Sequence, residues 1–577
     1  MTGAELVVKA LRAEGVDTLF AYPGGQVIDL FDALYDEADI EVILPRHEQG
    51  LVHAADGYAR STGKVGVCLV TSGPGAANLV TGIATANYDS VPLVCFTGQV
   101  PTGLIGHDAF QEVDIVDMVK SVCKYAVTVR RREELAKIIQ TAFAIARTGK
   151  PGVVLVDLPK DIQQAYGSGA YPEEGAGKEA AGMSSQDADF RSLISRAAET
   201  LAGAKRPLFL VGGGVRIGRA EAEMQKLADA AGVPVVTTIM GKGAIPSTHE
   251  LYIGNLGIHG SYAANMAVSR CDVLFAIGTR MNDRITGRTE RFAAQAVIVH
   301  ADIDAGTISR NITADTGIIA DAGEVVKALL ERVKPSDTGE WLKQIRGWKA
   351  QHPIGMNKPG LTPENIIKAI NRTFDSAVIT TDVGQNQLWA TQFLELDERR
   401  RMLTSGGMGT MGYGLPAAIG AKIGNPGKDV VVIAGDGGMQ MNIQEMATAV
   451  CYELPIIICI LNNGYLGNVR QWQELFFDRR YSWTCMRWRR GCAQVCNSPT
   501  GACPSYTPDF IALAESYGAK GIRVTGEEEI GTALETARHT EKVPTVIEFI
   551  IEREANVWPI VPPGKELADM LLPEDMC

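Results

Sequence analysis

The chain contains 577 residues, of which 46% are hydrophobic and 21% charged, and its formal net charge is −12. This length predicts two to four domains, and the acidic balance disfavours a general nucleic-acid-binding role, which requires a basic surface. No apolar run approaches the ~18 residues of a membrane span, and the first residues lack the apolar centre of a secretory signal. We therefore expect a cytoplasmic protein with no nucleic-acid or membrane partner.

Predicted elements alternate along the chain between short apolar strands and longer helical patterns, starting with an amphipathic helix in the first 15 residues. Strands that are apolar on both faces and alternate with helices indicate parallel sheets covered by helices on both sides. The predicted fold class is therefore α/β with doubly wound parallel sheets. The clearest strands are 64–70, 92–98, 152–159, 206–214, 233–238, 272–280, 429–437, 455–463 and 544–551.

Two Gly- and Pro-containing breaks, at 166–187 and 334–360, divide the chain. The predicted domains are 1–165, 188–334 and 360–577. Segment 67–98 and segment 431–463 share one pattern: a strand, a Gly-rich turn, a helix and a Pro-led strand. This predicts that the first and third domains arose by duplication.

The third domain contains "GDGGMQMNIQEMATAVCYELPIIICILNNG", in which Asp436 follows one strand and Asn463 ends the next, 27 residues later. Both side chains are expected at the carboxyl edge of one sheet, and their oxygens suit Mg²⁺. Gly437 and Gly438 open a helix whose N–H groups could approach a phosphate. The alternative interpretation is a Gly-rich turn and an Asn-Asn loop with no ligand.

This spacing resembles the thiamine-diphosphate signature, GDG followed about two dozen residues later by NN. The resemblance implies that Mg²⁺ is held by Asp436, Asn463 and the backbone carbonyl of Tyr465. It also implies a catalytic Glu48, in "RHEQGLVHAADGYAR", whose carboxyl group meets the aminopyrimidine ring. The cofactor would then lie between the first domain of one subunit and the third domain of another, in a homodimer or homotetramer.

Further motifs resemble the catalytic subunits of the acetohydroxyacid synthase (acetolactate synthase) family over nearly the whole chain. They occur in the expected order: "AYPGGQVIDLFDAL", "TSGPGAANLVTGIATA", "DAFQEVDI", "VDLPKDIQ", "DVGQNQLW", "SGGMGTMGYGLPAAIGA" and "VRQWQELFF". The resemblance implies that pyruvate is decarboxylated and joined to pyruvate or 2-ketobutyrate, a step toward valine, leucine and isoleucine. It also implies a separate small regulatory subunit and a central domain that binds FAD.

The resemblance assigns further residues to roles. Those lining the reaction pocket are Gly25, Phe110, Gln111 and Lys160, and those contacting the cofactor are Val383, Gly384, Gln385, Asn386, Gly409 and Met411. Arg284 would bind the acceptor's carboxylate and Trp472 its extra methyl group. FAD would meet Gly213, Arg280, Asp302 and Asp321.

The chain departs from the family pattern at Gln26, Ile258 and Asn468, and in "RMNDR" where the family has "RFDDR". These changes predict an altered donor or acceptor preference and weaken the expectation of FAD. The alternatives are a catabolic acetolactate synthase without FAD, another thiamine-diphosphate decarboxylase or carboligase, a nucleotide-linked oxidoreductase, and an inactive binding protein.

Residues 484–506, the cysteine segment, interrupt the resemblance with "CMRWRRGCAQVCNSPTGAC". We expect Cys492 and Cys496 to share a helix face, with Cys485 and Cys503 brought to them. Four thiolates could hold Zn²⁺ or an iron–sulfur cluster; a redox-responsive disulfide and inert thiols remain alternatives. The neighbouring arginines favour metal or redox chemistry by lowering thiol pKa values.

Overall fold

The computed structural model describes residues 1–171, 184, 186–355, 357–492, 496, 503–504 and 507–573. Their strands form three parallel six-stranded sheets, each flanked by helices, which confirms the predicted fold class. The predicted linker at 166–187 lies mostly outside the described residues, so the exact domain boundaries stay predictions. Among the described helices, none combines the length and apolarity that a bilayer crossing requires.

The first sheet has the strand order β2-β1-β3-β4-β6-β5. Its strands are β1 (Thr18–Ala21), β2 (Glu41–Ile43), β3 (Gly66–Val70), β4 (Leu93–Gln99), β5 (Tyr125–Thr128) and β6 (Val153–Pro159). Its helices are α1 (Gly3–Ala13), α2 (Ile28–Tyr35), α3 (Glu48–Thr62), α4 (Pro74–Ala77), α5 (Val80–Tyr88), α6 (Ile115–Val119), α7 (Leu135–Arg147) and α8 (Lys160–Gln164).

The middle sheet has the order β12-β11-β10-β7-β8-β9, which is the arrangement of dinucleotide-binding folds. Its strands are β7 (Pro207–Val211), β8 (Val235–Thr237), β9 (Tyr252–Asn255), β10 (Val273–Ile277), β11 (Val297–Asp302) and β12 (Thr316–Ile319). Its helices are α9 (Ala188–Gly203), α10 (Gly213–Ile217), α11 (Glu221–Ala231), α12 (Tyr262–Arg270), α13 (Asp283–Thr286), α14 (Ala322–Leu330) and α15 (Gly339–Gln351).

The third sheet has the order β14-β13-β15-β16-β18-β17. Its strands are β13 (Ala377–Thr381), β14 (Arg401–Leu403), β15 (Asp429–Gly435), β16 (Ile457–Asn462), β17 (Lys520–Val524) and β18 (Thr545–Ile550). Its helices are α16 (Pro363–Thr373), α17 (Gln385–Phe393), α18 (Gly414–Gly424), α19 (Asp436–Met439), α20 (Glu445–Cys451), α21 (Gly467–Phe476), α22 (Phe510–Ser516) and α23 (Ile530–Arg538). The strands of the first and third sheets follow one another in the same spatial order, as the predicted duplication requires.

Each sheet is covered on both faces, because successive residues of its central strands enter different apolar clusters. In β4, Val94 and Phe96 belong to one cluster, whereas Leu93 and Cys95 belong to the other. Cys68, Cys95 and the β16 residue Cys459 are buried and unpaired, so they pack as small apolar side chains. Burial on both faces explains why these strands read as continuous apolar runs.

The first and third domains meet along α3 and α18, whose backbones come unusually close. A Cβ atom at Gly57 would lie 2.0 Å from the Ala417 oxygen, and one at Gly420 would lie 1.7 Å from the Ala54 oxygen. Only glycine fits at these two positions. This contact fixes the N-terminal end of α3, where Glu48 lies, relative to the third sheet.

Candidate active site

The third sheet brings the predicted cofactor residues together where its strand order reverses, between β13 and β15. Ligands of open α/β sheets bind in this crevice, beyond the carboxyl ends of the strands. Gln385 follows β13, Asp436 follows β15 and Asn463 follows β16. The Asn463 amide donates to the Gln385 side chain at 3.2 Å, and Asn463 Oδ1 accepts from the Tyr465 N–H at 3.0 Å. We call residues 462–466 the Asn463 loop.

Asp436 has the environment of a carboxylate that is suited to a cation. It is 2% exposed, and its Oδ2 has no hydrogen-bond partner within the described residues. Burial raises its pKa to about 7, since a carboxylate that leaves water without a neutralising charge favours its protonated form. A bound Mg²⁺ would supply that charge.

Three further predicted residues, Val383, Gly409 and Met411, lie beside this group. A Cβ atom at Gly437 would lie 3.6 Å from Met411 Cε, and a Cβ atom at Gly409 would lie 3.9 Å from Val383 Cγ1. Gly409 has a φ of +68°, a left-handed conformation that favours glycine. The segments around residues 383, 409, 411 and 437 therefore line one crevice, as the resemblance implies.

Asp382, which the sequence reasoning missed, organises this crevice. Its fully buried carboxylate accepts from the N–H groups of Val383, Gly412 and Gly414 at 2.8–3.1 Å. Burial raises the pKa of Asp382, and these three backbone hydrogen bonds oppose the increase. A Cβ atom at Gly438 would lie 2.1 Å from Asp382 Oδ1, so the glycine is required for the Asp436 turn to pack here.

In the first domain, Glu48 begins α3 and is half-buried. Its Oε2 accepts from Asn78 Nδ2 at 2.9 Å. The carboxylate of Glu445 holds the start of this helix in position. Glu445 is 0% exposed and accepts hydrogen bonds from the N–H groups of Arg46 and His47 at 3.0–3.1 Å. Glu445 belongs to the third domain and was also missed, and it positions Glu48 through the backbone.

The other predicted pocket residues of the first domain form a second group. Lys160 Nζ donates to the Gly25 oxygen at 2.7 Å. Gln111 has a φ of +60°, and its Cβ lies 2.9 Å from where a Cβ atom at Gly73 would stand. Phe110 is 87% exposed, which is unusual for a large apolar side chain and leaves it available to a partner surface or a substrate.

The two groups belong to different domains of the chain. In the described residues, no side-chain hydrogen bond or ion pair joins Glu48, Gln111 or Lys160 to Asp436 or Asn463.

A cavity of about 610 Å³ lies at the strand-order reversal of the middle sheet, and residues of the first and third domains also line it. The Gly212–Gly214 turn after β7 packs so closely on the turn after β10 that a Cβ atom at Gly212 would lie 2.1 Å from the Gly278 oxygen. Burial raises the pKa of Asp302, at the end of β11, to about 6, whereas Asp321 Oδ1 caps α14. All predicted flavin residues line the cavity, and so does the exposed Arg284: Gly213, Arg280, Arg284, Asp302 and Asp321.

The remaining specificity residues lie on α21 and at the start of α2. Trp472 is half-buried against Phe476, with ring centroids 5.9 Å apart. At two positions that depart from the family pattern, Gln26 and Asn468, the amide oxygen is buried without a hydrogen-bond partner among the described residues. At the third, Ile258 donates its N–H to the Arg284 oxygen.

A buried ion cluster holds residues 404–413, the Gly409 loop, against the first domain. Arg60 contacts Asp56 at 2.7 Å and Asp89 at 2.9 Å. The Asp89 carboxylate also accepts from the N–H groups of Gly406 and Gly407 at 2.8–3.1 Å. This link positions the loop that carries Gly409 and Met411.

We expect Asp89→Asn to lower the free energy of unfolding by about 3 kcal/mol, because Arg60 loses one partner of a buried pair while Asp56 remains. Urea denaturation measures this change in the free energy of unfolding. Asp39→Asn is the control, since its ion pair with Arg12 is exposed and contributes little. Equal stability of the two variants would contradict the positioning role.

The structure corrects one expectation for the cysteine segment. Cys496 forms an antiparallel β-bridge with Tyr481, so the predicted helix face shared by Cys492 and Cys496 is wrong; residues 493–495 lie outside the described part. Within the described residues, which include all four cysteines, no three His, Cys, Asp or Glu side chains are grouped as metal ligands. Zinc or a cluster bound by Cys485, Cys492, Cys496 and Cys503 stays a prediction.

Comparison with known proteins gives a consistent result. Three thiamine pyrophosphate enzyme family models match: the N-terminal TPP binding domain at residues 1–118, the central domain at 194–329 and the C-terminal TPP binding domain at 382–549. The acetolactate synthase large subunit of Corynebacterium glutamicum is 43% identical over 99% of this chain and 90% of its own length. The acetolactate synthase isozyme 3 large subunit of Escherichia coli is 40% identical over 99% of this chain and 98% of its own length. The probable acetolactate synthase large subunit of Methanocaldococcus jannaschii is 43% identical over 99% of this chain and 95% of its own length.

Proposed function

Because the chain belongs to the acetolactate synthase large-subunit family of thiamine-diphosphate enzymes, we propose that it condenses two molecules of pyruvate to 2-acetolactate with loss of CO₂. With 2-ketobutyrate as acceptor the product would be 2-aceto-2-hydroxybutyrate. These are biosynthetic steps toward the branched-chain amino acids, carried out in the cytoplasm. The observation that best supports the proposal is the buried Asp436 carboxylate beside Asn463 at the strand-order reversal, whose Oδ2 has no hydrogen-bond partner among the described residues.

We assign Mg²⁺ to Asp436, Asn463 and the Tyr465 carbonyl, which present the oxygen ligands this cation prefers. When bound, thiamine diphosphate supplies the electron sink for decarboxylation of a 2-keto acid. The backbone of Gly437 and Gly438 and the 383–386 turn would hold its diphosphate. Met411 and the Gly409 carbonyl would orient its rings.

Glu48 would hold and return a proton at the aminopyrimidine nitrogen N1′ of the cofactor. Glu48 is the first residue of α3, and Glu445 holds this end of the helix in place. The Glu48 side chain is thereby directed. Lys160, Gln111, Gly25 and Phe110 would line the space where the 2-keto acids react.

FAD is the third cofactor of the proposal. The chain's residues fit it: the cavity of about 610 Å³ lies at the strand-order reversal of a dinucleotide-type sheet, and the glycine turn leaves room for a phosphate. Gly213 and Arg280 would meet the phosphates, and Asp302 and Asp321 the adenosine end. The flavin would stabilise the fold here, without a net redox change.

A second subunit completes the reaction site in this proposal. The family resemblance places the cofactor between two chains, so a homodimer, alone or within a homotetramer, would bring the first domain of one subunit to the third domain of its partner. The relatives are named large subunits, which supports a separate small regulatory subunit.

The test incubates the purified protein with thiamine diphosphate, Mg²⁺, FAD and pyruvate, and measures acetolactate and CO₂. Formation of both in equal amounts supports the proposal. Activity that is unchanged after flavin removal would favour a catabolic-type enzyme. Turnover of a nicotinamide nucleotide, with no acetolactate, would favour an oxidoreductase instead.

Trp472 tests the acceptor assignment. We expect Trp472→Leu to lower the preference for 2-ketobutyrate over pyruvate about tenfold, because one methylene group in an apolar pocket contributes roughly 1–3 kcal/mol. Competition between the two acceptors in one reaction, with both products quantified, measures this ratio. Phe476→Leu, which changes the ring packed against Trp472, is the control; an unchanged ratio for Trp472→Leu would remove the assignment.

A further inference from the structure

The cysteine segment is paired directly with the Asn463 loop. Leu466 donates its N–H to the Thr484 oxygen at 2.9 Å, and Met486 donates to the Gly464 oxygen at 2.9 Å. Cys485 thereby forms an antiparallel bridge with Tyr465. A change in the position of Cys485 is therefore transmitted to the backbone to which the proposed function assigns Mg²⁺.

Arg553 contacts two thiols of the cysteine segment. Its Nη2 donates to Cys485 Sγ at 3.7 Å, and its side chain also hydrogen-bonds Cys503. Its guanidinium carbon lies 4.7 Å from the centre of the Tyr465 ring. Two sulfur atoms far apart in sequence, one positive charge and the Asn463 loop therefore share a single contact region.

A second arginine, Arg487, links the two ends of the cysteine segment. Arg487 Nε donates to the Pro504 oxygen at 2.6 Å, next to Cys503, and the Arg487 side chain covers Gly464, where a Cβ atom would lie 2.9 Å from Arg487 Cδ. This contact keeps Cys485 and Cys503 close in the folded protein.

The charge of Arg553 distinguishes between the possible chemistries of these thiols. A fixed guanidinium repels a divalent cation at the same contact region, whereas a disulfide between the two sulfur atoms needs no cation there. Both thiols are partly exposed, so small oxidants can reach them. The arrangement suits oxidation better than metal binding.

The geometry points to a redox modification site: Cys485 and Cys503 form a disulfide when they meet a peroxide, and this disulfide weakens Mg²⁺–cofactor binding at the Asn463 loop. The sulfur of one cysteine thiol attacks the peroxide, the O–O bond breaks, and the thiol becomes a sulfenic acid while its proton leaves with the second oxygen as water. The second thiol then attacks that sulfur, the S–S bond forms and a second water leaves. The two thiols are oxidised and the peroxide is reduced.

The expected direction follows from the size of the bond. An S–S bond is about 2.05 Å long, whereas both sulfurs now contact the guanidinium. Closing the bond draws the two sulfur atoms together and fixes their separation, which pulls on the Cys485 backbone where it bridges Tyr465. The effect on the cofactor rests on the proposed function, but the formation of the disulfide does not.

The experiment treats the full-length holoenzyme with hydrogen peroxide and follows three readouts. Peptide mass spectrometry should show a Cys485–Cys503 cross-link, thiol titration should show the loss of a pair of thiols, and dithiothreitol should restore both. The half-saturating concentration of thiamine diphosphate should rise roughly two- to tenfold, the factor expected from losing about one hydrogen bond.

Cys485→Ser and Cys503→Ser should each abolish the cross-link and the shift. Cys451→Ser is the matched control, because the Cys451 thiol is exposed and also contacts an arginine, Arg46, at 3.2 Å; this variant should respond like the parent. A cross-link to Cys492 or Cys496, no cross-link, or zinc bound in anaerobically prepared protein would overturn the site. A cross-link without a shift would overturn its coupling to the cofactor, and inactivity of the reduced enzyme would instead count against the proposed function.

Discussion

Glu48→Gln should lower the rate of acetolactate formation by roughly 10²–10⁴-fold, the range that a positioned acid–base group contributes. The amide keeps the size of the side chain but cannot exchange a proton with the aminopyrimidine. The hydrogen bond from Asn78 can still be accepted by the amide oxygen, so the fold should persist. Initial rates at saturating cofactor measure the effect.

The same variant should still bind thiamine diphosphate, since its diphosphate and metal contacts belong to the third domain. Exchange of the cofactor's C2 proton with deuterium, followed by NMR, should slow in parallel with turnover. Glu41→Gln, at an exposed position on β2, is the control and should retain full activity. Full activity of Glu48→Gln would show that the cofactor assignment is wrong.

Asp436→Ala should raise the half-saturating concentrations of Mg²⁺ and thiamine diphosphate by at least about 100-fold, the upper range reached by changes outside the ligand shell. The variant removes the proposed carboxylate ligand while leaving the glycine turn in place. The metal-free protein should stay folded, because the variant also removes the cost of burying a carboxylate whose Oδ2 has no hydrogen-bond partner among the described residues. Calorimetric titration with cofactor and metal measures the affinity.

Asp429→Ala provides the matched control at the opposite end of the same strand, β15. Its carboxylate forms a partly exposed ion pair with Arg538 at 3.4 Å, far from the proposed metal. This variant should bind Mg²⁺ and thiamine diphosphate as the parent does. Equal affinities in Asp436→Ala and Asp429→Ala would exclude Asp436 as a metal ligand.

The central strands could be predicted from the sequence because both of their faces are buried. β4, β6, β15 and β16 consist almost wholly of buried residues and were all predicted. β5 and β17 were not, because edge strands face solvent and carry mixed residues: the burial of β17 runs from exposed Lys520 to buried Val524. The order of the strands in each sheet could not be predicted either, because it depends on hydrogen bonding between strands that are distant in the sequence.

The residues predicted for the site are those with local patterns or family motifs around them, such as Asp436 and Asn463. Asp382 lies in "DVGQNQLW" and Glu445 in the segment between Asp436 and Asn463, but both carboxylates were missed because they bind partners far away in the sequence. Asp382 binds the N–H of Gly412, and Glu445 binds the N–H of His47. Nothing near them in sequence indicates these contacts, since the partners are backbone groups that only the folded chain brings within reach.

The shared strand order of the first and third sheets has a consequence for how this protein could diversify. The connection from β4 to β5 carries Phe110 and Gln111, and its counterpart from β16 to β17 carries the Asn463 loop, Trp472 and the cysteine segment. In both domains, residues assigned to the reaction therefore lie in the same crossover. A segment added there leaves the order of the strands unchanged, and in the third domain the cysteine segment occupies this position.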